Sequence, residues 1–431
     1  MGIQVIRMEN TGESELFRQS GATWSRFDYF HWNEIEPTNS SPDNYLWETV
    51  NEEAIKAATE GESTTIGMVQ YTPDWAQKYK GTACGPIVEE AFDDFAEFMG
   101  ALVSRYSQPP YNVKYWEIGN EPDVDHTIVP GNSIYGCWGE KEDPNYGGGY
   151  YGEMLKAVYP AVKAADPEAK LLVGGLLMDC DPVNPPETKP NSGKLKDCTS
   201  SKFLEGILAT GAGDSFDGVS YHAYDYYYGA LGSYGNEGWH SSANVTGPAL
   251  IAKTSYLKSI LESKGIPDKE LLNTEIAILC GRDGNEPICK ADDFNNTKAY
   301  YIAQAYAAAL AEGMRANIWY SLTGWRGSGL VDQNLNPTRA YEAYQFTASE
   351  LEGAQYKGPV DGYEGVMGYK FTNKGKAIWL VWSGDQEPHK ITLPVAYQAA
   401  YDVFGNPAAD DGRSSKELEV SIAPVFIEWV D

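Results

Sequence analysis

The chain has 431 residues, enough for one large domain or one large and one small. With 42% hydrophobic and 22% charged residues it has a globular composition, which excludes gross disorder. Its 33 Lys and Arg against 61 Asp and Glu give a net charge of −28, which repels phosphate backbones and anionic membranes and so excludes nucleic acid and membrane surfaces as expected partners.

Taken in order, short apolar β-type runs alternate with longer helical stretches. Strands are expected over 4–7, 23–27, 64–69, 113–118, 170–174, 218–222, 271–275 and 316–320. Between them, 49–59, 89–106, 150–165, 254–263 and 296–312 carry apolar residues at helical spacing. Asp166-Pro167 and Gly265-Ile266-Pro267 stop two of these helices. Eight strands separated by helices imply a (β/α)8 barrel. A doubly wound sheet would want a Gly-rich turn directly after its first strand, and none is there. After Leu351 the pattern changes to short strands over 365–371, 377–382, 390–393, 400–404, 418–422 and 425–429. Turns such as Asn373-Lys374-Gly375 and Gly405-Asn406-Pro407 separate them. The expected organisation is a barrel over 1–350 and a small all-β domain over 351–431 packed on it.

No apolar run approaches the roughly 20 residues of a membrane span. The start, Met1-Gly2-Ile3-Gln4, shows no basic or apolar region of a signal peptide. The six cysteines fall in local pairs, which points to disulfides and export. The expectation is a secreted protein whose leader is not part of this chain; the alternative is unpaired thiols in a cytosolic enzyme. Nearest-neighbour pairing gives Cys84–Cys137, Cys180–Cys198 and Cys280–Cys289. With no C-x-x-C and five His, no metal site is expected. Asn39, Asn244 and Asn295 each begin an N-x-S/T sequon.

Functional residues of such barrels sit at the C-terminal ends of strands. The fourth run ends Trp116-Glu117-Ile118-Gly119-Asn120-Glu121-Pro122, and the seventh ends Asn273-Thr274-Glu275. Most acids of this chain are solvated surface charges. Glu121 and Glu275 differ, because each lies inside an apolar stretch where an unpaired charge is costly. Two carboxylates at a barrel mouth can act as general acid and nucleophile on a glycosidic bond, provided their environments split their pKa values.

Gly119-Asn120-Glu121-Pro122 with Thr274-Glu275 resembles the clan of retaining glycoside hydrolases on (β/α)8 barrels. Gly21-Ala22-Thr23-Trp24-Ser25-Arg26, Trp32-Asn33-Glu34-Ile35-Glu36-Pro37 and Tyr71-Thr72-Pro73-Asp74-Trp75-Ala76 resemble the β-xylosidase/α-iduronidase family 39. Tyr401-Asp402-Val403-Phe404-Gly405-Asn406 and Pro424-Val425-Phe426-Ile427-Glu428 resemble the C-terminal sandwich of such enzymes. The resemblance implies Glu121 as acid/base, Glu275 as nucleophile and Asn120 as a partner of the sugar 2-hydroxyl. It implies a carbohydrate substrate and no cofactor. His222 and Tyr224, on one side of the sixth strand, would reach the carboxylates, and Arg26 would lie beneath the nucleophile. Trp325, Trp75 and Trp32 are the aromatic subsite candidates.

Gly147-Gly148-Gly149-Tyr150-Tyr151-Gly152 fits G-x-G-x-x-G, but it follows a polar loop and not a strand, so no dinucleotide site is expected. Open alternatives are an endo-acting hydrolase, a transglycosylase on the same two acids, and a non-catalytic carbohydrate-binding barrel.

Overall fold

A computed structural model of the chain describes residues 1–60, 63–408 and 416–430. Eight parallel strands form a closed ring: β1 (Gly2–Ile3), β2 (Trp24–His31), β3 (Thr64–Gln70), β4 (Tyr115–Asn120), β5 (Lys170–Leu176), β6 (Gly218–Tyr227), β7 (Glu270–Leu279) and β8 (Ala316–Trp319). Each pairs with its neighbours in chain order, and β8 closes on β1 through Gly2↔Ile318 and Ile3↔Trp319. The main helices are α1 (Thr11–Gln19), α2 (Glu52–Thr59), α3 (Phe92–Tyr106), α4 (Gly148–Ala165), α5 (Phe203–Ala209), α6 (Ala249–Ser263), α7 (Asp292–Ala311) and α8 (Arg339–Leu351). This is a (β/α)8 barrel.

The ring is filled in two steps. Trp24, Ile66, Tyr115, Leu172, Leu272, Ala316 and Ile318 form an apolar plug near the N-terminal ends of the strands. Two residues further along, the same strands carry Arg26, Met68 and Glu117, because strand alternation returns the chain to the same face. The interior therefore changes from apolar to ionic within one layer, toward the end where the loops gather.

Several elements differ from the sequence expectation. The first strand is Gly2–Ile3 and not 4–7: past Ile3 the ladder is reduced to single bonds, Gln4 N–H to the Trp319 carbonyl (2.9 Å) and Leu322 N–H to the Gln4 carbonyl (3.0 Å). Helices α1, α5 and α8 were not foreseen. For α1 a signal existed: Asn10 caps it, its side chain accepting from the N–H groups of Gly12 and Glu13, with Glu13 in the first turn. The glycine run at 147–149 is explained by packing. Gly147 begins α4 in a left-handed conformation (φ 84°), and a Cβ on Gly148 would lie 1.9 Å from the Phe203 carbonyl oxygen, so α4 and α5 meet backbone to backbone.

Beyond α8 the chain forms antiparallel sheets from β9 (Gln355–Pro359), β10 (Val366–Asn373), β11 (Lys376–Ser383), β12 (His389–Thr392), β13 (Ala399–Asp402), β14 (Glu417–Val420) and β15 (Val425–Val430). The larger sheet runs β9-β10-β11-β15-β13, and β12 pairs with β14. Strand β9 was not expected. Phe371, Ile378, Leu380, Trp382 and Phe426 pack on Ala299, Ala303 and Ala307 of α7 and on Ala343 and Leu351 of α8. The row of alanines lets the sheet approach the barrel closely.

Three disulfides join Cys84 to Cys137, Cys180 to Cys198 and Cys280 to Cys289. Each pins a loop that follows a strand at the C-terminal end, and such links contribute about 2–4 kcal/mol each. Among the described residues no helix is long and apolar enough to cross a membrane.

Candidate active site

The site begins with Arg26 on β2. Its side chain is fully buried and donates to Glu117 twice (Nε–Oε2 3.1 Å, Nη2–Oε1 2.7 Å), to Glu275 Oε1 (2.7 Å) and to Asn120 Oδ1 (2.8 Å). Burial alone would lower the Arg26 pKa, but Glu117 and Glu275 overcome it and raise the value. The planar guanidinium suits this fork, since it presents several donors in fixed directions. Glu117 also accepts the Gly175 N–H (2.9 Å). It is a structural anion that fixes Arg26, and sequence reading missed it. The signal was there: a charge between Trp116 and Ile118 on a fully buried strand.

Glu275 lies on β7 with both oxygens held. Oε1 takes Arg26, and Oε2 accepts the Tyr224 hydroxyl. Tyr224 is presented by β6, where Tyr224 pairs in register with Ala277. Burial raises the Glu275 pKa above the usual carboxylate value, and Arg26 and the Tyr224 hydroxyl offset part of that rise.

Glu121 follows β4 in a left-handed conformation (φ 53°), after Gly119 (φ 78°). For a non-glycine residue this conformation is uncommon and costly. Its N–H bonds the Gly175 carbonyl (2.9 Å) and its Oε1 meets His222 Nδ1 (2.8 Å), while Oε2 is buried without a hydrogen-bond partner. Burial, then the charges of Glu275 and Asp123, raise the Glu121 pKa well above the usual carboxylate value. His222 is pushed the other way, well below its ordinary value, by burial and by the cations Arg26 and Lys253. The imidazole is therefore neutral at pH 7. It fits because residue 175 is glycine: a Cβ there would lie 2.3 Å from His222 Nε2.

One oxygen of Glu121, one of Glu275 and a nitrogen of His222 lie within 4.8 Å of one another. The donor set matches a metal site in type. Arg26 and Tyr224 already occupy the Glu275 oxygens, however, and a guanidinium 2.7 Å from a ligand oxygen opposes a second cation.

A cavity of about 240 Å³ opens beside Glu275, lined also by Asn120, Tyr320, Gln4, Asp28 and Gln70. Asn120 spends Oδ1 on Arg26 and one N–H on the Ile134 carbonyl (3.2 Å), which leaves a second N–H. The 124–149 loop thus returns to the site, with Gly136 N–H donating to the Asn120 carbonyl and the Cys84–Cys137 bond holding it there. Trp325 is 50% exposed and meets the Tyr224 ring edge-on at 6.3 Å, beside the mouth.

Two expected subsite residues are elsewhere. Trp32 is 1% exposed and packed among Trp75, Phe95 and Phe98, with Nε1 donating to Glu36 Oε2 (2.8 Å). Trp75 packs edge-on against Trp32 and donates to the Glu36 carbonyl (3.2 Å). Trp32 is a core residue between the barrel and α3, because the short helix Trp32–Ile35 turns it inward, and Trp75, half-buried after β3, packs against it. Sequence reading also missed Gln4, Asp28, Gln70 and Tyr320, which lie in runs with no recognisable motif.

Fold and site together define a (β/α)8 barrel with paired carboxylates at the ends of strands four and seven. No family model and no curated protein matches the sequence. Among solved structures the chain is similar to a family 39 glycoside hydrolase from the gut symbiont Bacteroides cellulosilyticus WH2, with 20% identity, TM-score 0.71, and coverage of 100% of this chain and 80% of that one. It is also similar to a conserved exported protein from Bacteroides fragilis (13% identity, TM-score 0.67, 99% and 96% covered). A third is a GH30 endoxylanase from Clostridium papyrosolvens C71 (12%, TM-score 0.60, 97% and 92% covered). At these identities the likeness establishes the shared fold.

Proposed function

We propose that this chain is a retaining glycoside hydrolase acting on β-linked glycosides. The observation that carries the reading is the Glu121–Glu275 pair, with oxygens within 4.8 Å of one another at the open end of the barrel. Double displacement uses carboxyl groups roughly 5–5.5 Å apart, whereas inversion needs roughly 6.5 Å or more to admit a water between them. The environments support this division of roles. Arg26 and Tyr224 favour an ionised Glu275, the nucleophile. Burial without a directly bonded cation keeps the proton on Glu121, the acid.

In the first step a Glu275 oxygen bonds the anomeric carbon as the glycosidic C–O bond breaks, and Glu121 gives its proton to the departing oxygen. In the second, Glu121, now a carboxylate, takes a proton from water. The water oxygen bonds the anomeric carbon and Glu275 is released as a carboxylate. Asn120 reaches the sugar 2-hydroxyl with its remaining N–H, and Trp325 offers an aromatic face at the mouth. The family 39 hydrolase and the endoxylanase among the similar structures support a glycosidase, with a β-xylosidase- or β-glucosidase-like specificity as its finer form. Three disulfides and the exported protein of the same fold support an extracellular setting.

The test is turnover of aryl glycosides covering β-xyloside, β-glucoside, β-galactoside, α-arabinofuranoside and α-iduronide, by the wild type and by Glu275→Ala. We expect the variant to lose on the order of 10⁴-fold or more in kcat. Azide should restore part of the rate and yield an α-glycosyl azide. Full activity in the variant would end the assignment.

A further inference from the structure

The proposed mechanism uses Glu275 and Asn120 of the cavity lining and leaves the wall formed by β2 and β3 unassigned. That wall is built around Asp28. Strand β2 pairs with β3 in steady register up to Phe27↔Gly67 and resumes at Phe30↔Val69, so a bulge falls between Phe27 and Phe30. Asp28 stands two residues beyond Arg26, on the same face by strand alternation, and lines the cavity. The register then brings His31 opposite Gln70. Both converge on one Asp28 oxygen: His31 Nε2 at 3.1 Å and Gln70 Nε2 at 3.2 Å from Oδ1. The carboxylate is thereby fixed in direction, and Oδ2 has no hydrogen-bond partner among the described residues. The Asp28 side chain is 34% exposed.

The charges of this wall are one-sided. Arg26 is the guanidinium lining the cavity, and Glu117 and Glu275 already take it. His31 stands between two carboxylates, Asp28 at 3.1 Å and Glu34 at 3.5 Å, so its proton cannot offset more than one of them. Gln4, Gln70 and Asn120 add neutral amides. A ligand in this cavity meets Asp28 and Glu275 as acceptors and, among the described residues of the lining, finds no free cation.

We propose that Asp28 selects the sugar in the cavity: a neutral glycone whose hydroxyl donates to Oδ2, with glycones bearing a carboxylate rejected. This rests on the glycosidase reading above. A hydroxyl bonded to a carboxylate is a strong, oriented contact. A second carboxylate in its place adds repulsion and leaves Asp28 without a donor.

The experiment compares the fastest-cleaved neutral aryl glycoside of the panel with the aryl β-glucuronide, on wild type, Asp28→Asn and Asp28→Ala. We expect the wild type to favour the neutral sugar by about 10³-fold or more in kcat/KM. Asp28→Asn should lose about 10- to 100-fold on the neutral sugar and narrow the preference at least tenfold. A merely structural loss would slow both substrates alike, and an unchanged ratio in both variants would overturn the proposal. So would a wild type that cleaves the glucuronide as fast as the neutral sugar. Wild-type silence toward the whole panel overturns the proposal by another route: it points to an endo-acting cleft that needs several occupied subsites and removes the single-glycone reading on which the proposal rests.

Discussion

Two pairs of buried carboxylates sit in this molecule, one at the barrel mouth and one in the seam between the barrel and the β domain. In the seam, Glu350 of α8 meets Glu428 of β15 within hydrogen-bond reach. Burial first, then the bond to Glu428 and its charge, push Glu350 up to about 7. Glu428 is in turn held by Lys376 at 2.9 Å. At the mouth, Glu121 and Glu275 repeat the theme of burial and mutual repulsion. The difference lies in the partners. The seam pair is closed, with one proton and one lysine neutralising it. The mouth pair is split, with a guanidinium and a phenol on Glu275, a neutral imidazole on Glu121 and a cavity alongside. A displaced pKa is therefore common to both regions, and asymmetry beside a cavity is what distinguishes a site able to do chemistry.

The largest expected effect that would break this comparison comes from Glu121→Gln. With a poor leaving group, kcat should fall by about 10²- to 10⁴-fold, because no proton reaches the departing oxygen. The pH profile gives the sharper readout. Wild-type activity needs a protonated Glu121 and is lost as pH rises through its raised pKa, so Glu121→Gln should flatten the basic limb. Glu428→Gln in the seam should leave kcat and its pH profile unchanged. Equal losses from both variants would mean that the two pairs are not different in kind.

Next in size is Tyr224→Phe. The hydroxyl favours the ionised form of Glu275 against burial, so its loss should move the acidic limb of kcat/KM to higher pH. A drop of about 10²-fold in kcat is expected when such a donor is removed. An unmoved acidic limb would show that Arg26 alone sets the ionisation of Glu275.

What the sequence disclosed follows from the same physics. The barrel was legible because alternating strands and helices leave a strong periodic trace, and Glu121 and Glu275 stood out as acids inside apolar runs. Arg26, His222 and Tyr224 could be placed because strand alternation fixes which face a residue takes. Trp32 misled, since an aromatic after a strand reads alike whether the next turn carries it to the mouth or into the core. Asp28 shares the inward face of Arg26 by alternation, but no motif around it set it apart from the chain's many other acids. Glu350 and Glu428 stand 78 positions apart, in a helix and a strand whose contact no local pattern announces.

The smallest effect belongs to the seam and concerns stability alone. A carboxyl whose folded pKa is raised contributes stability that is complete below its unfolded value, near 4.3, and lost as pH rises through about 7. At pH 8 Glu350 must ionise beside Glu428 or hold its proton at a cost. The full shift corresponds to about 3 kcal/mol, and solvent screening at the edge of the seam reduces this to about 1–2 kcal/mol. Glu350→Gln places a neutral amide in the same space, able to donate to Glu428 at every pH. Its stability should match the wild type near pH 5 and exceed it by about 1–2 kcal/mol at pH 8, read by denaturant unfolding at the two pH values. Activity should not change, because α8 contributes no side chain to the cavity around Glu275. A variant less stable than wild type at pH 8 would mean that the ionised Glu350 is held by a partner stronger than Lys376. The seam pair would then be an ion-pair network and not a shared proton, and its likeness to the catalytic pair would be one of geometry only.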